Sequence, residues 1–288
     1  MTIDSSRDAA PALYRGMDRA ALSAAYNNRI AVADSADWSA RWKDKSAAVR
    51  SSRGAKLDIR YGVKERERLD LYPSGAKQAP LFVFIHGGYW QRNDKDTFAF
   101  VAEGPVANGI DVAVPGYTLA PQASLTEIVA EMELALTFLS GQADALGFDR
   151  NAIFVGGWSA GGHLTAAVAR HPSFRGGMPI SGVYDLEPIA LTDINDLLSL
   201  APAEIEALSP LKTLTNTSPP LRVTVGGGEL PELRRQAATF TAAAQARGLP
   251  VALTELPGHH HFSILDELAR PDGALTRMLV DLVATTKA

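Results

Sequence analysis

The sequence predicts an α/β fold: a mostly parallel central sheet with an antiparallel N-terminal hairpin and helices on both faces. Three observations predict it. From Lys56 onward, short β-patterned segments alternate with amphipathic helical ones, the order that builds parallel βαβ units. Residues 81–85, Leu-Phe-Val-Phe-Ile, form a continuous apolar run behind Pro80, which suits a strand covered on both faces. The chain has 288 residues, 46% hydrophobic and 21% charged, the balance of a globular protein long enough to bury a large core.

In chain order, residues 1–55 carry no strand pattern. They are rich in Ala, Ser, Arg and Asp and show helical spacing between Met17 and Ile30. Trp38 and Trp42 lie four apart, on one helix face. This predicts an N-terminal helical arm or lid on an α/β domain spanning 56–288, since 55 residues bury too little core alone. Residues 57–61 and 69–72 alternate with period two around a polar turn, which predicts a hairpin. After the 81–85 strand, a helix is expected from near Asp94 to before Gly109, then a strand at 111–114. Ser124-Leu125-Thr126-Glu127 has the form of a capping box, with Ile128, Met132, Ala135 and Leu139 on one face and Gly141 as a stop. Strands follow at 153–155, 178–180, 221–225 and 251–254. Helices follow at 164–170, at 233–244 ended by Gly248, and at 275–283. Residues 186–220, with Pro188, Pro202, Pro210, Pro219 and Pro220, break the rhythm and predict a cap insertion.

Charge and composition exclude several classes. Lys and Arg total 28 against 32 Asp and Glu, a net charge of -4, which argues against nucleic acid or an anionic membrane surface as partner. The absence of cysteine excludes disulfides, thiolate-bound zinc, iron–sulfur clusters and a Cys nucleophile. Residues 1–8 have no basic stretch followed by an apolar one, so no secretory leader is expected. No run of about 18 apolar residues occurs, so no spanning helix is expected either. We expect a cytoplasmic protein with a small-molecule partner and no cofactor; the chain is compatible with a homodimer.

The strongest chemical signal is Gly156-Gly157-Trp158-Ser159-Ala160-Gly161-Gly162, a G-x-S-x-G pattern between a strand and a helix. A serine at the apex of such a turn needs small neighbours two before and two after, here Gly157 and Gly161. The turn lifts the hydroxyl above the sheet and brings the Ala160 N–H to a helix N-terminus, where developing negative charge is stabilised. A phosphate-cradling loop would need Lys and then Ser or Thr after the last glycine; His163 and Leu164 stand there instead. His86-Gly87-Gly88-Tyr89-Trp90, directly after the 81–85 strand, predicts a loop whose N–H groups approach a ligand; His86 itself reads as structural.

A serine hydroxyl needs a base. In G-x-S-x-G hydrolases that base is a histidine late in the chain, after the acid. His259-His260-His261 follows the 251–254 strand, and His261 is the first candidate, with His260 as the fallback. Consecutive histidines converge poorly on one ion, so no metal is expected. Glu229, just past the 221–225 strand and Gly226-Gly227-Gly228, is the leading acid. Asp185 and Glu232 remain open as alternatives.

With these segments the chain resembles the α/β-hydrolase superfamily, in its kynurenine formamidase (arylformamidase)-like and hormone-sensitive-lipase-like esterase branch. The residues that carry the resemblance are 86–91, 157–163, 117–121, 229–236, Tyr26-Asn27-Asn28-Arg29 and His261-Phe262-Ser263-Ile264. The resemblance implies an oxyanion hole from the N–H groups of Gly88, Tyr89 and Ala160. Tyr89 stands where lipase-like members usually carry a third glycine, which is typical of formamidase-like ones. Trp90, Trp158 and Phe262, together with Tyr89, are candidate aromatic walls. The expected function is a serine hydrolase with a Ser159–His261–Glu229 triad. It removes a small acyl group from an aryl amide or ester, and most closely resembles an arylformamidase. The alternatives are a carboxylesterase or amidase of other range, and a hydrolase-fold binding protein without turnover.

Overall fold

The computed structural model describes residues 12–52 and 54–286. The leader expectation at residues 1–8 lies outside them. Eight strands form one sheet in the order β1-β2-β4-β3-β5-β6-β7-β8. They are β1 (Lys56–Arg60), β2 (Arg68–Tyr72), β3 (Ala79–Ile85), β4 (Asp111–Pro115), β5 (Phe148–Trp158), β6 (Phe174–Ile180), β7 (Leu221–Gly226) and β8 (Val251–Leu256). β1 pairs antiparallel with β2, and β2 antiparallel with β4; the remaining pairings are parallel.

Period two in β3 sorts its side chains between two apolar layers. Leu81, Val83 and Ile85 meet Ile128, Met132 and Leu139 of the helix Leu125–Leu146 on one face. Phe82 and Phe84 meet Trp42, Phe98 and Leu279 on the other. Both faces are thus dry, as the unbroken apolar run required. Among the described residues, no helix is long and apolar enough to cross a membrane.

The segment before β1 is helical in pieces, Arg19–Ala25, Asn28–Ala31 and Ser35–Arg50. Asp18 and Asn27 cap the first two by accepting from Ala21 N and Ile30 N at 2.8 and 3.2 Å, which explains why one helical spacing yields two helices. Trp42 is buried on Phe100, with ring centroids 5.5 Å apart, and edge-on to Trp158 at 5.2 Å.

Several boundaries differ from expectation. The 94–109 segment opens as a 3₁₀-helix, Lys95–Ala102, and turns α only over Glu103–Ala107. Gly141 does not stop its helix, which runs on to Leu146 and ends at Gly147 with φ 101°. A stop needs a residue in the left-handed region with its amide turned back, and Gly147 supplies that by donating to Ala143 O. β5 is eleven residues long, extending into the polar stretch after Phe148. The helix after it begins at Ala160, because Ser159 already makes the turn. Residues 186–220 hold three short helices, Glu187–Ala190, Asn195–Leu198 and Pro202–Leu208, and no strand.

Candidate active site

Ser159 stands between β5 and the helix Ala160–Ala167 with φ 59° and ψ -116°, a backbone that costs about 1–3 kcal/mol for a non-glycine residue. Close packing holds it there. A Cβ at Gly157 would meet Gly161 O at 2.4 Å, and one at Gly161 would meet Ile85 O at 1.9 Å. Ser159 N donates to Ile180 O of β6 at 2.8 Å. Ala160 opens the helix, so its N–H belongs to the first turn, which has no intrahelical acceptors.

Glu229 and His261 meet. Glu229 Oε2 accepts from His261 Nδ1 at 2.7 Å, and both side chains are almost wholly buried. Glu229 Oε1 accepts from Ser181 Oγ at 2.5 Å and from Gly226 N at 2.7 Å. With the carboxylate as acceptor, Nδ1 carries the proton, which leaves Nε2 as the imidazole's free base. The glycines before Glu229 let this loop lie against the histidine loop. Gly228 N donates to His259 O at 2.9 Å, and a Cβ at Gly226 would meet that oxygen at 2.3 Å.

The alternatives are placed elsewhere. His260 Nδ1 accepts from Phe262 N and Ser263 N at 3.2 Å, and its ring packs edge-on against Trp38. Asp185 Oδ1 accepts from Glu187 N, and Glu232 pairs with Arg235. His86 is sandwiched between Tyr117 and Phe98, with its Nδ1 donating to Gly87 O at 2.9 Å. Burial pulls its pKa down to about 4, so it is a neutral spacer.

Ser159, His261, Gly88 and Tyr89 line one cleft of about 410 Å³, with Trp158 and Phe262 in its wall. Trp158 Nε1 donates to His261 O at 2.7 Å, and the two rings lie 4.8 Å apart, which fixes the imidazole beside the serine turn. Trp90 is a correction: it does not line the cleft. Its backbone is left-handed, with φ 60°, and its fully buried indole packs edge-on to His163 at 5.0 Å. Three exposed cations, Arg29, Lys43 and Arg92, share the rim with Asp193.

Several contributors were not among the expected site residues. Ser181, with φ 52°, follows β6 and holds the Glu229 carboxylate. Tyr26, Asn28 and Trp42 bring the N-terminal helices to the cleft, and Asp193, Ile194 and Leu197 bring the 186–220 segment. Tyr26-Asn27-Asn28-Arg29 was a visible signal for the first group; nothing local marked Ser181.

The fold and this arrangement define a hydrolase, and the chain belongs to the α/β-hydrolase superfamily. The prolyl oligopeptidase family matches residues 138–277, and the BD-FAE family residues 69–174. Kynurenine formamidases and esterases are among the proteins the chain is similar to. It is 29% identical to the kynurenine formamidase of Danio rerio over 84% of this chain and 86% of that one. The Drosophila melanogaster kynurenine formamidase is 28% identical over 82% and 85%. Among solved structures, a putative thioesterase from Silicibacter sp. is 30% identical with a TM-score of 0.80, covering 93% of this chain and 99% of that one. An esterase from Pyrobaculum calidifontis, 18% identical with a TM-score of 0.73 over 88% and 93%, shares the fold.

Proposed function

We propose that the protein is a serine hydrolase that removes a small acyl group from an aryl amide or ester, and that it is an arylformamidase converting N-formylkynurenine to kynurenine and formate. The observation that carries this reading is the buried His261–Glu229 pair, whose histidine lines the same cleft as Ser159 on its strained turn. The likeness to kynurenine formamidases over most of both chains supports the substrate.

In this mechanism His261 Nε2 takes the Ser159 proton as Oγ attacks the formyl carbon. Glu229 keeps the imidazole in the tautomer that can accept it and stabilises the imidazolium. The N–H groups of Gly88, Tyr89 and Ala160 receive the oxyanion. One such donor is worth about 2.7–4 kcal/mol. His261 then returns the proton to the leaving aryl amine. A water, deprotonated by the same imidazole, releases formate from Ser159.

Trp158 and Phe262 form the aromatic wall, and the three rim cations suit a leaving group that carries a carboxylate. Of the arm of residues 1–55, the described part from residue 12 to 52 roofs the cleft together with the 186–220 insertion over the 56–288 domain; the lining contributed by Tyr26, Asn28, Asp193 and Leu197 supports this. The substrate is a free small molecule of the cytoplasm, with neither nucleic acid nor membrane as partner.

The competing reading is a carboxylesterase, favoured by the esterases among the structural neighbours. Turnover of N-formylkynurenine against p-nitrophenyl acetate by the purified protein separates the two. We expect the formamide to be cleaved, and Ser159→Ala to lower kcat by at least about 10³-fold. Good ester turnover with no formamide turnover refutes the formamidase; unchanged turnover in Ser159→Ala refutes the serine mechanism.

A further inference from the structure

Tyr89 takes φ 50° and Trp90 follows at 60°, two successive non-glycine residues in the left-handed region. A glycine would take the first of these at no steric cost. A tyrosine persists there only when its surroundings over-determine the backbone. Three contacts hold the loop from nearby: Asn93 Nδ2 donates to Gly87 O at 3.0 Å, Gln91 Nε2 to Ile194 O at 2.6 Å, and Ala120 N to Trp90 O at 2.8 Å.

The fourth contact reaches into the N-terminal helices. Tyr89 Oη donates to the carbonyl of Tyr26 at 2.6 Å. The Asn28 amide lies beside the same phenol, its Nδ2 buried with no partner at hydrogen-bond distance. Tyr26 is itself immobilised, with its side chain fully buried. Its hydroxyl accepts from Gln236 Nε2 at 2.7 Å and donates to Glu232 Oε2 at 3.3 Å. Both partners sit on the helix Pro231–Gln245, which begins two residues after Glu229. Residue 26 thus touches the loop of Tyr89 with its backbone and the helix behind Glu229 with its side chain.

We propose that the Tyr89 hydroxyl is a positioning group: its bond to the Tyr26 carbonyl holds the Tyr89 backbone N–H where the oxyanion forms, which makes the docked N-terminal helices part of the catalytic apparatus. This rests on the reading above, in which Ser159 is the nucleophile and the Tyr89 N–H an oxyanion donor. Without the hydroxyl the ring keeps its packing, but the loop loses its tie to the N-terminal helices. The left-handed backbone then relaxes and turns the donor off the oxyanion. Substrate binding in the ground state draws little on that donor, so the loss falls on kcat rather than KM.

The test compares wild type, Tyr89→Phe, Tyr89→4-aminophenylalanine, which restores a donor to the ring, and Ser159→Ala. Each is assayed on N-formylkynurenine and p-nitrophenyl acetate, with thermal unfolding alongside. We expect Tyr89→Phe to lower kcat about tenfold to a hundredfold on whichever substrate wild type turns over, with KM within about threefold and Tm within about 3 °C. The amino variant should recover most of the lost kcat. A Tyr89→Phe kcat within about twofold of wild type overturns the inference. So does a loss matched by KM or Tm, a failure to fold, or no rescue by the amino group. Ser159→Ala keeps the two readings apart. If it retains turnover, the serine mechanism has failed and the inference with it; if it is inactive while Tyr89→Phe is unimpaired, only the inference has failed.

Discussion

Glu229 commits both carboxylate oxygens to one orientation. Oε1 is held by Ser181 Oγ and Gly226 N, and Oε2 is thereby aimed at His261. A glutamate has one more rotatable bond than an aspartate, so the anchoring of Oε1 supplies order that the longer chain lacks. Ser181→Ala leaves Gly226 N as the only anchor. We expect kcat to fall about tenfold, the rate equivalent of about 1.4 kcal/mol of lost orientation, with KM little changed in steady-state kinetics. Wild-type kcat would mean that the Gly226 amide suffices. The same residues show where sequence reading reaches its limit. Ser159 was legible because the steric demand of its turn is met by residues two away on either side. Glu229 and His261 were legible because each follows a strand of strong pattern. Ser181 was not, since its partner lies 48 residues on and the two meet only because β6 and β7 are neighbours. Trp90 misled for a related reason: adjacency to Tyr89 in sequence says nothing about which way a left-handed backbone turns the indole.

At the scale of elements, periodicity located the sheet well and the ends of helices poorly. Alternation located β1 and β2, and an unbroken apolar run located β3; alternation did not fix the faces of the first two, since β1 is exposed except at Ile59 and β2 is buried except at Arg68. The helix Leu125–Leu146 shows the opposite case. Its capping box is present, with Ser124 Oγ accepting from Glu127 N and Glu127 accepting from Ser124 N. Its end was misplaced because Gly141 is tolerated within it. Gly141 is exposed, and a Cβ there would meet nothing within 4 Å. A glycine in such a site costs backbone entropy and returns no packing. Gly141→Ala should therefore stabilise the protein by about 1 kcal/mol and raise Tm by about 2–4 °C in a thermal melt, with activity unchanged. A lower Tm would show that residue 141 meets a neighbour when an Ala is placed there. The helix after Ser159 was misplaced in the other sense. Gly161 and Gly162 are poor helix formers, yet close packing against Ile85 O and Gly182 demands them, and packing overrode propensity.

Across the whole molecule, the buried histidines set how stability responds to acid. His86 and His163 are completely enclosed, one between aromatic rings, the other with Nε2 donating to Leu208 O at 2.8 Å. Burial lowers the pKa of each to about 4 from the ordinary 6.5. His171 and His260 are shifted in the same direction, also by desolvation. Below pH 6.5 the unfolded chain therefore takes up protons that the folded chain refuses until about pH 4. The unfolded state binds more protons in that window, so stability falls as pH falls through it. Between pH 7.5 and 5.0 the two enclosed histidines should together remove about 4 kcal/mol, about 2 from each. On the alkaline side the signs differ in origin but again favour the middle. Burial raises the buried tyrosines Tyr61, Tyr72 and Tyr117. Lys95 is pulled down by burial but carried above its usual value by hydrogen bonds to Asp58, Asp70 and Asp96. The stabilisation from these groups is intact below their unfolded values and is lost only as pH rises beyond about 10. Stability should therefore form a plateau from about pH 6.5 to 10 with a steep acid shoulder. Urea unfolding at pH 7.5 and 5.0 measures that shoulder, and equal unfolding free energies at the two values would mean that His86 and His163 charge freely in the folded protein.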